Sequence, residues 1–144
     1  MWWSFPNIVE FNTEKEYEEL FISEYIKKEF KTHDWINIKL QIWNFYHIFY
    51  RWKWTENKYF DKWLARRILH LRTIIENTNW NIEIYEQFNK RKKRTERNYI
   101  YVYWKICVFL WEDKNWDFFI ITAYKKTNKD LEKIRESPNV KKIQ

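Results

Sequence analysis

Hydrophobic positions between residues 13 and 30 recur with a helical period. Tyr17, Leu20, Phe21, Tyr25 and Phe30 share one face, while Glu14, Lys15, Glu18 and Lys28 fall on the other. Thr13 stands before this run with Glu16 three residues later, a capping-box pair. Residues 34–43 alternate instead, with Ile36, Ile38, Leu40 and Ile42 opposite Asn37, Lys39 and Gln41, which predicts a half-buried strand. Residues 44–51 are ambiguous, although Phe45, Ile48, Phe49 and Trp52 fit a short amphipathic helix. A second long helix is predicted over 57–77. Phe60, Trp63, Leu64, Ile68, Leu71, Ile74 and Ile75 form its apolar face, and Asn77-Thr78-Asn79 closes it.

The pattern then changes. Ile82, Ile84 and Phe88 suggest a strand, and residues 98–104, 106–111 and 116–124 are strongly β-prone. Their spacing, with a turn at 112–115, suits an antiparallel meander. Residues 129–136 read as a closing helix, and Pro138 with the basic tail after it is expected to fray. Helices first and strands afterwards predict an α+β fold, N-terminal helices followed by a four-stranded antiparallel sheet. The expected organisation is a single domain: a mainly helical part at 13–77, the sheet at 80–125, and a terminal helix and tail at 126–144.

Charge narrows the partner. Lys and Arg number 27 against 20 acidic residues, a net charge of +7 in 144 residues. Such a balance steers a domain toward phosphate backbones or anionic surfaces. No apolar run reaches the length of a membrane span, and residues 1–6 show neither a basic nor an apolar leader segment, so a cytoplasmic protein is expected. The chain has no glycine, which excludes phosphate-cradling glycine loops; tight turns are expected to use Asn or Asp, as at 113–115. Eleven Trp, 10 Tyr and 11 Phe beside abundant Ile, Asn and Lys look like an AT-rich coding sequence of low-GC bacterial or phage origin, which weakens any reading of each Trp as a stacking platform. The lone Cys107 lies in an apolar run and reads as a buried core thiol, and one Cys with three scattered His shows no zinc spacing. No metal or cofactor is expected.

Four stretches carry candidate chemistry. His47 and Arg51 are four apart and share a face if their segment is helical; together they would make an acid–base group and a phosphate clamp, although a His packed among aromatics is the commoner outcome. Arg66, Arg67, His70 and Arg72 crowd the second long helix, as a basic face or as its solvated edge. Lys90, Arg91, Arg94 and Arg97 belong to a basic run leading into a strand. Thr122 and Tyr124 end the last strand and share a face by its period of two. They would hold a phosphate, or reflect β-propensity alone.

The order of these pieces resembles the phage-associated branch of the barnase–EndoU–colicin–RelE class of nucleases. The likeness runs from His47-Ile48-Phe49-Tyr50-Arg51 through Ile74-Ile75-Glu76-Asn77 and the basic run to Ile121-Thr122-Ala123-Tyr124. It implies N-terminal helices before a four-stranded antiparallel sheet and metal-independent RNA cleavage of toxin or mobile-element type, on tRNA or mRNA. His47 would then be acid or base, Arg51 and a later Arg phosphate clamps, and Thr122 and Tyr124 would lie at the scissile phosphate. A cognate antitoxin or immunity protein would accompany such an activity. Trp52 stands where such domains often carry a second His, and Thr78 replaces a usual Pro. The residues themselves also fit a non-catalytic nucleic-acid-binding or defence-inhibiting protein.

Overall fold

Thr13 caps the first helix as its sequence requires. Its Oγ1 accepts from the Glu16 amide at 3.3 Å and donates to the Glu16 carboxylate at 2.9 Å. The computed structural model describes residues 6–52, 58–76, 82–88, 98–113 and 118–144. The architecture is α+β. It comprises two compact units, Met1–Asn77 and Thr78–Gln144.

In the first unit, α1 (Glu14–Phe21) continues into a π-helical turn, Ile22–Ile26, and stops there. The predicted helix is therefore four residues too long. Arg72 supplies the reason: its guanidinium donates to the Glu24 carbonyl at 2.6 Å and to the Glu29 carbonyl, taking acceptors a continuing helix would need. Phe30–Lys31 instead forms β1, antiparallel to β2 (Asn37–Ile38). The strand expected over 34–43 shrinks to two residues, because a tight loop takes its start and α2 (Ile42–Phe49) takes its end. Ile38 and Leu40 are buried as the alternation predicts. Across the loop, the Thr32 amide donates to the Ile36 carbonyl at 2.9 Å and the Trp35 amide to the Thr32 carbonyl at 3.0 Å. Trp35 closes the turn at φ 68°. This is the left-handed position that favours Gly or Asn, and a bulky side chain there costs roughly 1–2 kcal/mol.

After α2, β3 (Tyr50–Trp52) pairs with β4 (Lys58–Phe60). The predicted helix over 57–77 thus opens with a strand and is then cut in two: α3 (Lys62–Ala65), capped by Asp61, and α4 (Ile68–Glu76). The cut has a long-range cause. The Val9 amide takes the Arg66 carbonyl at 2.8 Å, and the His70 amide turns to the Arg67 carbonyl at 2.9 Å. The aromatic residues are largely core here. Tyr17, Phe21, Tyr25, Phe30, Phe45 and Phe49 are all buried, with ring centroids such as Phe21–Tyr25 at 5.0 Å and Phe45–Phe49 at 5.1 Å. Each such burial contributes roughly 1.5–3 kcal/mol.

The second unit is a five-stranded antiparallel sheet in the order β8-β7-β6-β5-β9. Its strands are β5 (Glu83–Gln87), β6 (Asn98–Tyr103), β7 (Ile106–Asp113), β8 (Phe118–Lys125) and β9 (Val140–Lys142). The four expected strands are present, and the fifth comes from the tail. There Pro138 and Asn139 turn the chain back, and the Ile84 amide donates to the Gln144 carbonyl at 3.0 Å. The tail expected to fray is instead the edge of the sheet. α5 (Asn128–Glu136), with a Thr127/Asp130 capping box, lays Leu131 and Ile134 on Tyr85, Ile100, Val102 and Cys107. Cys107 is fully buried, as expected, and burial pushes its thiol up to about 12.

β6 and β7 are joined by two residues, Trp104 and Lys105, since Tyr103 pairs with Ile106. Trp104 has φ 52°. Both left-handed residues among the described ones are Trp, while the Asn/Asp turn expected at 113–115 runs into residues 114–117, which lie outside the described residues.

Candidate functional site

The His47/Arg51 pair does not sit on one helical face. α2 ends at Phe49, so Arg51 is a strand residue beyond it. Its guanidinium folds back to donate to the Ile48 carbonyl at 2.6 Å and meets Asp61 at 3.5 Å, with 13% of its side chain exposed. That is a helix C-terminal cap held by a carboxylate, with little left for a phosphate. His47 is exposed on α2, its ring 6.4 Å from that of Trp43. Desolvation first, and the Arg51 charge second, hold its imidazole below the ordinary 6.5.

The second basic stretch is also committed to structure. Arg66 pairs with Glu10 at 3.2 Å. Arg67 lies over the Trp63 ring at 3.9 Å and donates to the Trp63 carbonyl at 2.8 Å. His70 donates from Nε2 to the Pro6 carbonyl at 2.7 Å. Arg72 ties the π-helical turn to α4 through Glu24, Glu29 and Glu76. Beside it, the buried Tyr25 hydroxyl accepts from the Arg72 amide at 2.7 Å and donates to the Ile68 carbonyl, a pair an α-helix ordinarily joins directly. Lys90, Arg91, Arg94 and Arg97 lie outside the described residues.

Thr122 and Tyr124 do share a face of β8, opposite Phe109 and Cys107 in register. Thr122 is only 5% exposed, and its Oγ1 is buried without a hydrogen-bond partner among the described residues. Tyr124 is half-buried, with the Lys126 ammonium 4.8 Å from its ring centroid. His47 and Arg51 belong to the first unit, Thr122 and Tyr124 to the second.

No known protein family, curated protein or solved structure matches this chain. No helix among the described residues is long and apolar enough to cross a membrane, and no group of three potential metal ligands occurs among them.

The feature that the pattern of residues did not flag is the sheet end around Trp104. The Lys126 amide donates to the Lys105 carbonyl at 2.7 Å, which holds the end of β8 against the β6–β7 tip. Trp104 is 58% exposed, and the Lys105 ammonium lies 5.4 Å from its ring centroid. Lys125 is exposed beside them, paired in register with Ile106. Lys129, on the first turn of α5, is also exposed. The backbone thus places Lys105, Lys125 and Lys126 at the sheet end that carries Trp104; the Lys105 ammonium lies by the Trp104 ring and the Lys126 ammonium by the Tyr124 ring. A signal existed in the sequence: Trp104-Lys105 sits between two β-prone runs with nothing else to form their turn.

Proposed function

We propose that this chain is an RNA-binding protein that uses the sheet end to grip single-stranded RNA. The observation that carries the reading is the placement of the exposed Trp104, with Lys105 by its ring, at the sheet end where the backbone also sets Lys125 and Lys126. Ammonium groups attract the backbone and an exposed ring offers a base a stacking face, the two elements of sequence-tolerant single-strand binding. The net charge of +7 acts in the same direction. The strained backbone of Trp104 supports it too. A left-handed Trp is costly where Gly or Asn would be comfortable, and such cost concentrates at functional positions.

The test is binding of labelled oligouridine, followed by anisotropy across a salt series. Three phosphate contacts predict a slope of log affinity against log salt near −2 from this patch, at about −0.7 per contact. Changing Lys105, Lys125 and Lys126 together to Gln should flatten the measured slope by that amount. Trp104→Gly should weaken binding several-fold while leaving the unfolding midpoint unchanged or higher. An unchanged slope in the triple variant refutes the assignment.

A second reading, metal-independent endoribonuclease action on tRNA or mRNA, is favoured by one observation: His47 is exposed on α2, and its surroundings shift its imidazole toward the unprotonated form that a general base uses. Incubation with total RNA in EDTA decides it. Cleavage lost in His47→Ala supports the nuclease. Intact RNA, with oligouridine still bound, leaves binding as the function. A toxin role with a cognate antitoxin, in a cytoplasmic mobile-element setting, stands or falls with that cleavage.

A further inference from the structure

The first unit carries a second exposed Trp whose surroundings differ from those of Trp104. Trp35 is 76% exposed and occupies the left-handed closing position of the β1–β2 loop. It borders a cleft of about 360 Å³ lined also by Glu29, Lys31, Thr32, Arg72 and Glu76. That volume lies within the range of small-molecule sites, roughly 300–1,000 Å³. The Lys31 ammonium stands 6.0 Å from the Trp35 ring centroid. The two cations of this cleft are already paired. Lys31 meets Glu29 at 3.2 Å, and Arg72 meets Glu76 at 3.1 Å as well as its two carbonyls. A bare phosphate would therefore meet two carboxylates with no uncommitted cation, so the cleft is unsuited to an anion. It offers an indole face and carboxylate acceptors.

A second cleft of about 590 Å³ adjoins it, sharing Glu29. Its rim carries Lys27, Lys28 and Lys39. Lys28 is paired with Glu24, but Lys27 and Lys39 are exposed and make no ion pair among the described residues. An aromatic-acidic cleft thus opens beside a lysine-rimmed one.

We infer that these two clefts, which share Glu29 as a lining residue, form a nucleotide site selective for guanine, with the base stacked on Trp35 and the phosphate held toward Lys27 and Lys39. Guanine is the common base with two neighbouring N–H donors on one edge, its ring N1–H and exocyclic amine, which match the two oxygens of a carboxylate. Adenine places an acceptor beside its amine, which a carboxylate repels. Glu29, which lines both clefts, and Glu76 are the acceptors: each meets its cation through Oε1, and a carboxylate has about four lone-pair sites in all. Stacking on an aromatic ring is tolerant of base identity, so selection falls to the carboxylates. The inference rests on the RNA-binding reading for why a nucleobase is the ligand, and on the first unit alone for its geometry.

Calorimetric titration of the full chain with GMP, AMP, CMP and UMP tests it. GMP should bind at least tenfold more tightly than the other three. Trp35→Asn should abolish GMP binding, yet leave the urea midpoint unchanged or raised, because Asn accepts the left-handed backbone. Glu29→Gln should erase the preference for GMP over AMP. Equal affinity for all four nucleotides, no binding of GMP, or a Trp35→Asn variant that binds as wild type does overturns the inference. The two readings fail separately. Oligouridine bound without GMP sinks this site and spares the sheet end; GMP bound without oligouridine does the reverse.

Discussion

Replacing Arg72 by Met separates a structural cation from a phosphate ligand. The side chain makes three contacts. It donates to the Glu24 carbonyl at 2.6 Å, to the Glu29 carbonyl, and from Nε to Glu76 at 3.1 Å. Hydrogen bonds from a charged donor contribute roughly 1.5–3 kcal/mol each, so the two carbonyls amount to about 3–6 kcal/mol in a dry site. A quarter of the side chain reaches water, at 24% exposure, and water can re-satisfy part of what is lost. The exposed ion pair with Glu76 adds at most about 0.5 kcal/mol. The guanidinium carbon also lies 5.7 Å from the Phe30 ring centroid, a contact that methionine removes at a cost of about 0.5–1 kcal/mol. The expected destabilisation is about 2–4 kcal/mol. Arg72→Lys should lose nearly as much, because an ammonium lacks the planar fork that reaches two carbonyls and a carboxylate together. Urea unfolding followed by near-ultraviolet circular dichroism measures both. A loss under about 1 kcal/mol in Arg72→Met would refute the clamp and return Arg72 to the pool of phosphate ligands.

Other expectations are as direct. His33, His47 and His70 all sit below 6.5, chiefly through desolvation. The unfolded chain therefore binds more protons than the folded one, and stability should fall as pH drops below about 6.5 and recover above it; a urea midpoint at pH 5.5 equal to that at 7.5 contradicts this. Cys107, buried with its thiol near 12, should react with a disulfide reagent only after denaturation; rapid labelling of the folded chain would show that the second unit opens. Deleting residues 138–144 removes β9 and its ladder with β5, and should lower stability by roughly 2–3 kcal/mol or cause association, read by light scattering.

Much of the sheet was legible because its cues are local. The strongly β-prone runs at 98–104 and 106–111 fix β6 and β7 closely, and Thr13/Glu16 marks the start of α1 without any tertiary information. The ends that went astray are set from far away. Helix 13–30 stops at Ile26 because Arg72, 48 positions beyond Glu24, claims its carbonyl. Helix 57–77 breaks near Arg66 because Val9 reaches its carbonyl from outside the helix. β9 is a three-residue Val-Lys-Lys strand, too short and too charged to declare itself before its partner is known. The candidate site was legible only as a set of residue types. Arg51 and Arg72 read as cations available to a phosphate, and their partners Asp61, Glu24 and Glu29 turn them inward. Trp35 and Trp104 were hidden for the opposite reason, since propensity assigns left-handed positions to Gly and Asn.

The place of β9 in the sheet bears on how the chain is made. During synthesis β5 emerges early and pairs with β6, but its other edge has no partner until residues 140–142 have left the ribosome. A nascent chain that has reached only α5 therefore presents an open row of amides and carbonyls, the template on which strands of other chains add. Slow translation or premature termination between residues 136 and 140 would prolong that exposure. The short basic strand that ends it is thus a safeguard timed by translation, and its two lysines discourage a second copy from stacking on the finished edge.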